Sequence, residues 1–172
     1  MTLANDTPGQ SSTPRYLRTV LIVIAAIEAL GALIGVPGIF YDFNPTTPLG
    51  KFAQLLTSID LALAVPITLA ALYFASVGKL RYAIASIAIR VLVTWLSDLP
   101  SFWIHGIEWS WTYGGINVAI YDIGAPLISL AALYLARRNE RLGLATLLVA
   151  LPTIFTWLGV LLFAVGVMIY GF

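Results

Sequence analysis

Four charged residues, Glu28, Asp60, Arg90 and Asp122, each stand inside a different long apolar stretch of this chain. At the centre of a membrane span a charged side chain costs about 2.5–3.5 kcal/mol on insertion scales, so it turns toward the bundle interior and marks a functional site by default. Arginine keeps its charge in any protein setting, whereas a carboxyl can trade its charge for a proton. Three carboxyls and one guanidinium cannot all be ionised and paired in a low-dielectric interior. Arg90 is therefore expected to pair with one aspartate, leaving at least one of Glu28, Asp60 and Asp122 protonated at neutral pH. A set of this kind binds a small ligand, relays a proton, or locks helices together as a buried ion pair. The expected site is Asp60, Arg90 and Asp122, with Glu28 as an accessory carboxyl.

Helical spacing aims these groups inward. Ser86, Arg90, Thr94 and Ser97 form one polar stripe at the i, i+4 recurrence of a helix face. Asp122, Ala125, Ser129, Ala132 and Ala136 make a narrow small-and-polar face, and Gln54, Thr57, Asp60, Ala64, Thr68 and Ala71 make another. Glu28 shares a face with Gly31 and Gly35, a spacing that lets a second helix backbone approach closely. At 1.5 Å per residue, Glu28 and Arg90 fall near the middle of their spans. Asp60 and Asp122 fall about a turn nearer the outer face, within the climb of an arginine stem.

The stretch Asp98–Trp109 reads as an outer loop. His105 and Glu108 are three residues apart, a spacing used by metal ligands and by acid–base pairs. The chain has one His and no Cys, so no metal site is expected. The segment is expected to lie in the interface, with Trp103, Trp109 and Trp111 at the headgroups and His105 and Glu108 facing water.

The elements that must position these residues follow from composition. The 172 residues are 60% hydrophobic and 10% charged, against about 25% charged in soluble domains. Five stretches, at 17–40, 52–77, 82–104, 114–136 and 142–170, reach the about 20 apolar residues that a bilayer span needs. The expected fold is an all-α bundle of five transmembrane helices over residues 15–172, preceded by a flexible polar tail at 1–14. The first apolar run, Val20 to Phe40, exceeds the about 7–15 residues of a signal-peptide core and is expected to be a retained span. A net charge of +1 leaves no basic face for nucleic acid. Without cysteine, disulfides and thiolate chemistry are excluded.

Arg15, Arg18, Lys79, Arg81, Arg137, Arg138 and Arg141 fall at one set of helix ends and only Lys51 at the other. The positive-inside rule then places the N-terminus in the cytoplasm and the C-terminus outside; were the source bacterial, the membrane would be the cytoplasmic or inner one. Phe40, Tyr41, Phe43 and Tyr113 join the tryptophans at the outer interface.

The chain also reads as about two and a half copies of one helix hairpin. Arg18 and Arg81 lie 63 apart, as do Pro37 and Pro100, and Asp60 and Asp122 lie 62 apart. Leu-Ala-Ala-Leu-Tyr occurs at 69–73 and 130–134, and Thr-Trp-Leu at 94–96 and 156–158. Two-helix units repeat in the same orientation. Pro66, Pro126 and Pro152 lie inside spans, and each frees a carbonyl one turn back.

Three functions fit this pattern. The first is a membrane protein that binds or passes a small, lipophilic ligand or a proton at the Arg/Asp cluster. The second is an accessory subunit of a homo-oligomer or larger membrane complex, its charges a packing lock. The third is an intramembrane enzyme acting on a lipophilic substrate. Whether a cofactor takes part is not written in the pattern.

Overall fold

A computed structural model describes the backbone over residues 15–40, 47–105 and 113–171. It contains five α-helices: α1 (Arg15–Gly35), α2 (Pro48–Ser76), α3 (Leu80–His105), α4 (Tyr113–Arg138) and α5 (Leu142–Tyr170). A short 3-10 turn, Val36–Phe40, follows α1, and no strand occurs among the described residues. The segments Arg15–Gly38, Pro48–Ser76, Leu80–Pro100 and Leu142–Tyr170 are long and apolar enough to cross a membrane. The polar tail at 1–14, and Tyr41, Phe43, Glu108, Trp109 and Trp111, lie outside the described residues.

Local chemistry sets the helix limits. Thr47 opens α2 as its cap, its hydroxyl accepting from the Gly50 amide at 3.1 Å, and Pro48 follows at a position whose missing N–H costs nothing. The turn from α2 to α3 closes with Gly78 N–H donating to Ala75 (3.1 Å) and Lys79 N–H to Phe74 (2.8 Å). This is a Schellman turn, and it needs a left-handed residue at Gly78, whose φ is +75°. The turn from α4 to α5 repeats it: Asn139 donates to Ala136 and Glu140 to Leu135, with Asn139 at φ 55°. Arg18 on α1 donates to the Ser76 carbonyl at the end of α2, where a cation complements the helix dipole.

Each helix packs on its neighbour in sequence, and α5 returns to touch α1 and α3. The core, toward the end that carries these two turns, is built from Leu17, Leu21, Ile24, Ile84 and Val149 with many alanines, among them Ala25, Ala75, Ala83, Ala88, Ala132 and Ala145. Large side chains such as Leu30, Leu69, Leu130, Phe163 and Ile169 point outward. Small residues inside and large apolar ones outside is the packing of helices in lipid, where close backbone approach, not hydrophobic burial, drives association.

Three expectations change. First, the outer loop does not begin at Asp98: α3 continues through Pro100 to His105. The proline removes only one helix hydrogen bond, and it is buried against the bundle. Second, Gly31 faces outward, with nothing within 4 Å of a side chain added there, whereas Gly35 faces Leu61. The close face of α1 is instead Leu17, Leu21, Ile24, Ala25, Ala29 and Ala32. Third, α5 seals the bundle only along Ala145–Thr153. From Ile154 onward its side chains are almost all exposed.

Candidate functional site

Beyond the alanine-rich core, polar side chains of α2 and α3 meet each other, and one of α1 meets one of α5. On α2, every fourth or third residue from Asp60 is buried, through Ala64, Thr68, Ala71 and Ala75. On α4 the same holds for Asp122, Ala125, Ser129, Ala132 and Ala136. These are the two faces expected from helical spacing, except that Thr57 is exposed and Gln54 half-buried.

Arg90 on α3 pairs with Asp60 on α2. Its Nη1 donates to Asp60 Oδ1 and to Thr94 Oγ1, and its Nη2 reaches Asp60 Oδ2 at 3.4 Å. Thr94, one turn along α3, lies 3.1 Å from Asp60 Oδ1 and 3.1 Å from the Arg90 carbonyl, within donor reach of both. The forked guanidinium and the hydroxyl together occupy the carboxylate, which compensates the cost of burying it. The expected ion pair is present, and Asp60 is the aspartate it uses.

Asp122 is treated differently. It is 7% exposed, the same as Asp60, yet its Oδ2 is buried without a hydrogen-bond partner among the described residues. Its backbone is held firmly. Pro126, four residues on, cannot donate to the Asp122 carbonyl, and the Trp95 indole of α3 supplies the missing donor at 2.8 Å. The main chain is therefore held by Trp95, while Oδ2 of the carboxyl has no hydrogen-bond partner among the described residues.

Glu28, half-buried on α1, accepts a hydrogen bond from the Thr153 hydroxyl of α5 at 2.6 Å. Thr153 is the residue after Pro152, and it ties the last packed turn of α5 to α1.

Two more groups belong to this set. Asp98, half-buried on α3, lies within electrostatic reach of Asp60, Asp122 and Arg90. Tyr121, beside Asp122 on α4, lies within reach of Asp98, Arg90, Asp60 and Glu28. The direct side-chain contacts among the predicted residues are Arg90 with Asp60, joined by Thr94, while Glu28 bonds to Thr153. Sequence reasoning passed over Asp98 because it was read as loop, although it follows Thr94 by one helical turn. Trp95 was legible in principle, since Pro126 at four residues from Asp122 announces an unpaired carbonyl that some donor must satisfy. Tyr121 carried no signal in the sequence.

Of the predicted interfacial residues, Trp103 projects fully outward at the end of α3, and His105 is the last residue of that helix. Among the described residues no three His, Asp or Glu side chains are grouped to hold a metal ion. Chemically, the arrangement offers one neutralised ion pair and a buried carboxyl oxygen with no hydrogen-bond partner among the described residues. Comparison with protein-family models, with curated proteins and with solved structures returns no match.

Proposed function

We propose that this chain is a multi-pass membrane protein that binds a small ligand, or takes up and releases a proton, at Asp122, with the Asp60–Arg90 pair and Glu28 as its surroundings. The observation that carries this reading is the buried, unpartnered Oδ2 of Asp122. A polar atom in that state is costly, and it is satisfied by a proton or by a donor on a ligand. Arg90 supplies fixed positive charge that is already balanced by Asp60, so it holds the region's electrostatics constant while Asp122 changes partner. Asp98 and Tyr121 complete the polar wall.

In this reading all five helices cross the bilayer. The basic helix ends face the cytoplasm under the positive-inside rule, and the C-terminus lies outside. An internal duplication accompanies it. The two Schellman turns, at Gly78 and Asn139, fall 61 residues apart, as do the buried pairs Ala71/Ala132 and Ala75/Ala136.

The subunit reading has one observation in its favour, the exposed outer half of α5. Native mass spectrometry of the gently extracted protein, with pH-dye uptake in proteoliposomes, separates the two. A bound small molecule or proton uptake that Asp122→Asn abolishes while the protein stays folded supports a site. A stoichiometric complex with other polypeptides, no small ligand, and unchanged behaviour of Asp122→Asn would sink it.

A further inference from the structure

At the opposite end of the bundle from Asp98, a cavity of about 370 Å³ opens between the α2–α3 turn and the start of α5. Lys79, Arg81 and Tyr82 line it on one side, and Asn139 and Leu142 on the other. Its volume lies within the about 300–1,000 Å³ of small-ligand sites. Both cations are exposed, and neither has a carboxylate among its hydrogen-bond or ion-pair partners within the described residues. Arg81 instead donates to the Tyr82 hydroxyl at 2.7 Å and lies 4.6 Å from the Tyr82 ring centroid.

The backbone adds to the positive field. Both α3 and α5 begin beside this cavity, and neither has an acidic residue in its first turn. Arg141, which caps α5, makes no side-chain capping bond. Two positive dipole ends therefore face one opening that already holds a lysine and an arginine.

We propose that this cleft binds the phosphate of an anionic phospholipid headgroup. Phosphate chemistry follows from the Lys79 and Arg81 donors, with Asn139 as a neutral donor and Tyr82 fixing the guanidinium. The lipid source follows from position. The cleft lies where apolar helices end, with Val77 and Leu144 exposed next to it in the chain and Tyr73, Tyr82 and Tyr134 exposed at the same end. Tyrosines under arginines, here Arg81 on Tyr82 and Arg138 on Tyr134 at 4.7 Å, suit headgroup depth. Basic pockets between helix ends recognise acidic headgroups, each cation near the surface being worth about 1 kcal/mol. The proposal does not depend on the role of Asp122.

The test is lipid binding by the delipidated, detergent-solubilised full chain, read by native mass spectrometry and by thermal shift. Phosphatidylglycerol is compared with phosphatidylcholine, and inorganic phosphate serves as competitor. Phosphatidylglycerol is expected to bind one-to-one and at least about tenfold tighter than phosphatidylcholine. The Lys79→Gln/Arg81→Gln double variant is expected to lose about tenfold or more. Lys79→Arg/Arg81→Lys, which keeps the charge, is expected to stay within about twofold, and Arg15→Gln, which removes a charge at the same end, to lose no more than about fivefold. Equal binding of the two lipids overturns the proposal, as does a double variant that binds like the parent, or an Arg15→Gln variant that loses as much. Displacement of the lipid by millimolar phosphate overturns the lipid assignment.

Discussion

Asp60 on α2 and Asp122 on α4 are buried to the same degree on matching small-residue faces, but the protein handles them in opposite ways. Asp60 is closed off by Arg90 and Thr94 of α3. Asp122 has a buried Oδ2 with no hydrogen-bond partner among the described residues, and the neighbouring helix holds its carbonyl through Trp95. The difference separates structure from availability. A carboxylate bound by a forked guanidinium is a fixed part of the scaffold, because breaking the pair strands a charge in low dielectric. A carboxyl positioned through its main chain is held in place without its chemistry being consumed.

The largest expected effect comes from removing the counter-ion. Arg90→Leu leaves Asp60 buried without its pair and is expected to cost about 3–5 kcal/mol, measured by reversible denaturant unfolding in mixed micelles. Asp60→Leu/Arg90→Leu should recover most of that loss, since no buried charge remains. If the single variant is as stable as the parent, the two aspartates are not handled differently.

Next comes the main-chain anchor. Trp95→Phe removes the donor to the Asp122 carbonyl and is expected to cost about 1–3 kcal/mol. Placing Pro126→Ala in that background restores an N–H at the position that should donate to the same carbonyl. A double-mutant cycle should therefore show Trp95→Phe costing less when residue 126 is alanine; additivity would break the account.

Thr153→Val, which removes the bond to Glu28, is expected to cost about 0.6 kcal/mol, the average for hydrogen bonds between membrane helices. Loosening should concentrate where α5 meets α1, read by hydrogen exchange of the α5 amides around Thr153.

The smallest loss of stability is expected from the near-isosteric Asp122→Asn, below the about 0.6 kcal/mol of a hydrogen bond between membrane helices, because its Oδ2 has no bond to lose among the described residues. Coupled with loss of ligand or proton uptake, that result sharpens the contrast with Asp60. A loss of several kcal/mol would instead make Asp122 a structural group.

Most of the architecture was legible in the sequence. Apolar length identifies the membrane-type helices, because a bilayer accepts only segments that satisfy their own backbone. Helical spacing identified the buried faces of α2 and α4, because charged and small residues both avoid lipid. The same reasoning failed at Gly31, since a glycine can permit close packing without receiving it. It also failed at α5, whose uniformly apolar surface says nothing about which half is covered.

By itself, then, the sequence determined that four charges would stand within apolar helices and that one arginine could neutralise only one acid. Which aspartate it would choose depended on how α2, α3 and α4 lie side by side, a matter of distances of a few ångströms that no periodicity encodes. Tertiary structure decided that Arg90 goes to Asp60, that Trp95 answers the proline-freed carbonyl of Asp122, and that Thr153 of α5 goes to Glu28. The physical reason is that burial is a property of a residue's own helix face, while pairing belongs to two helices at once.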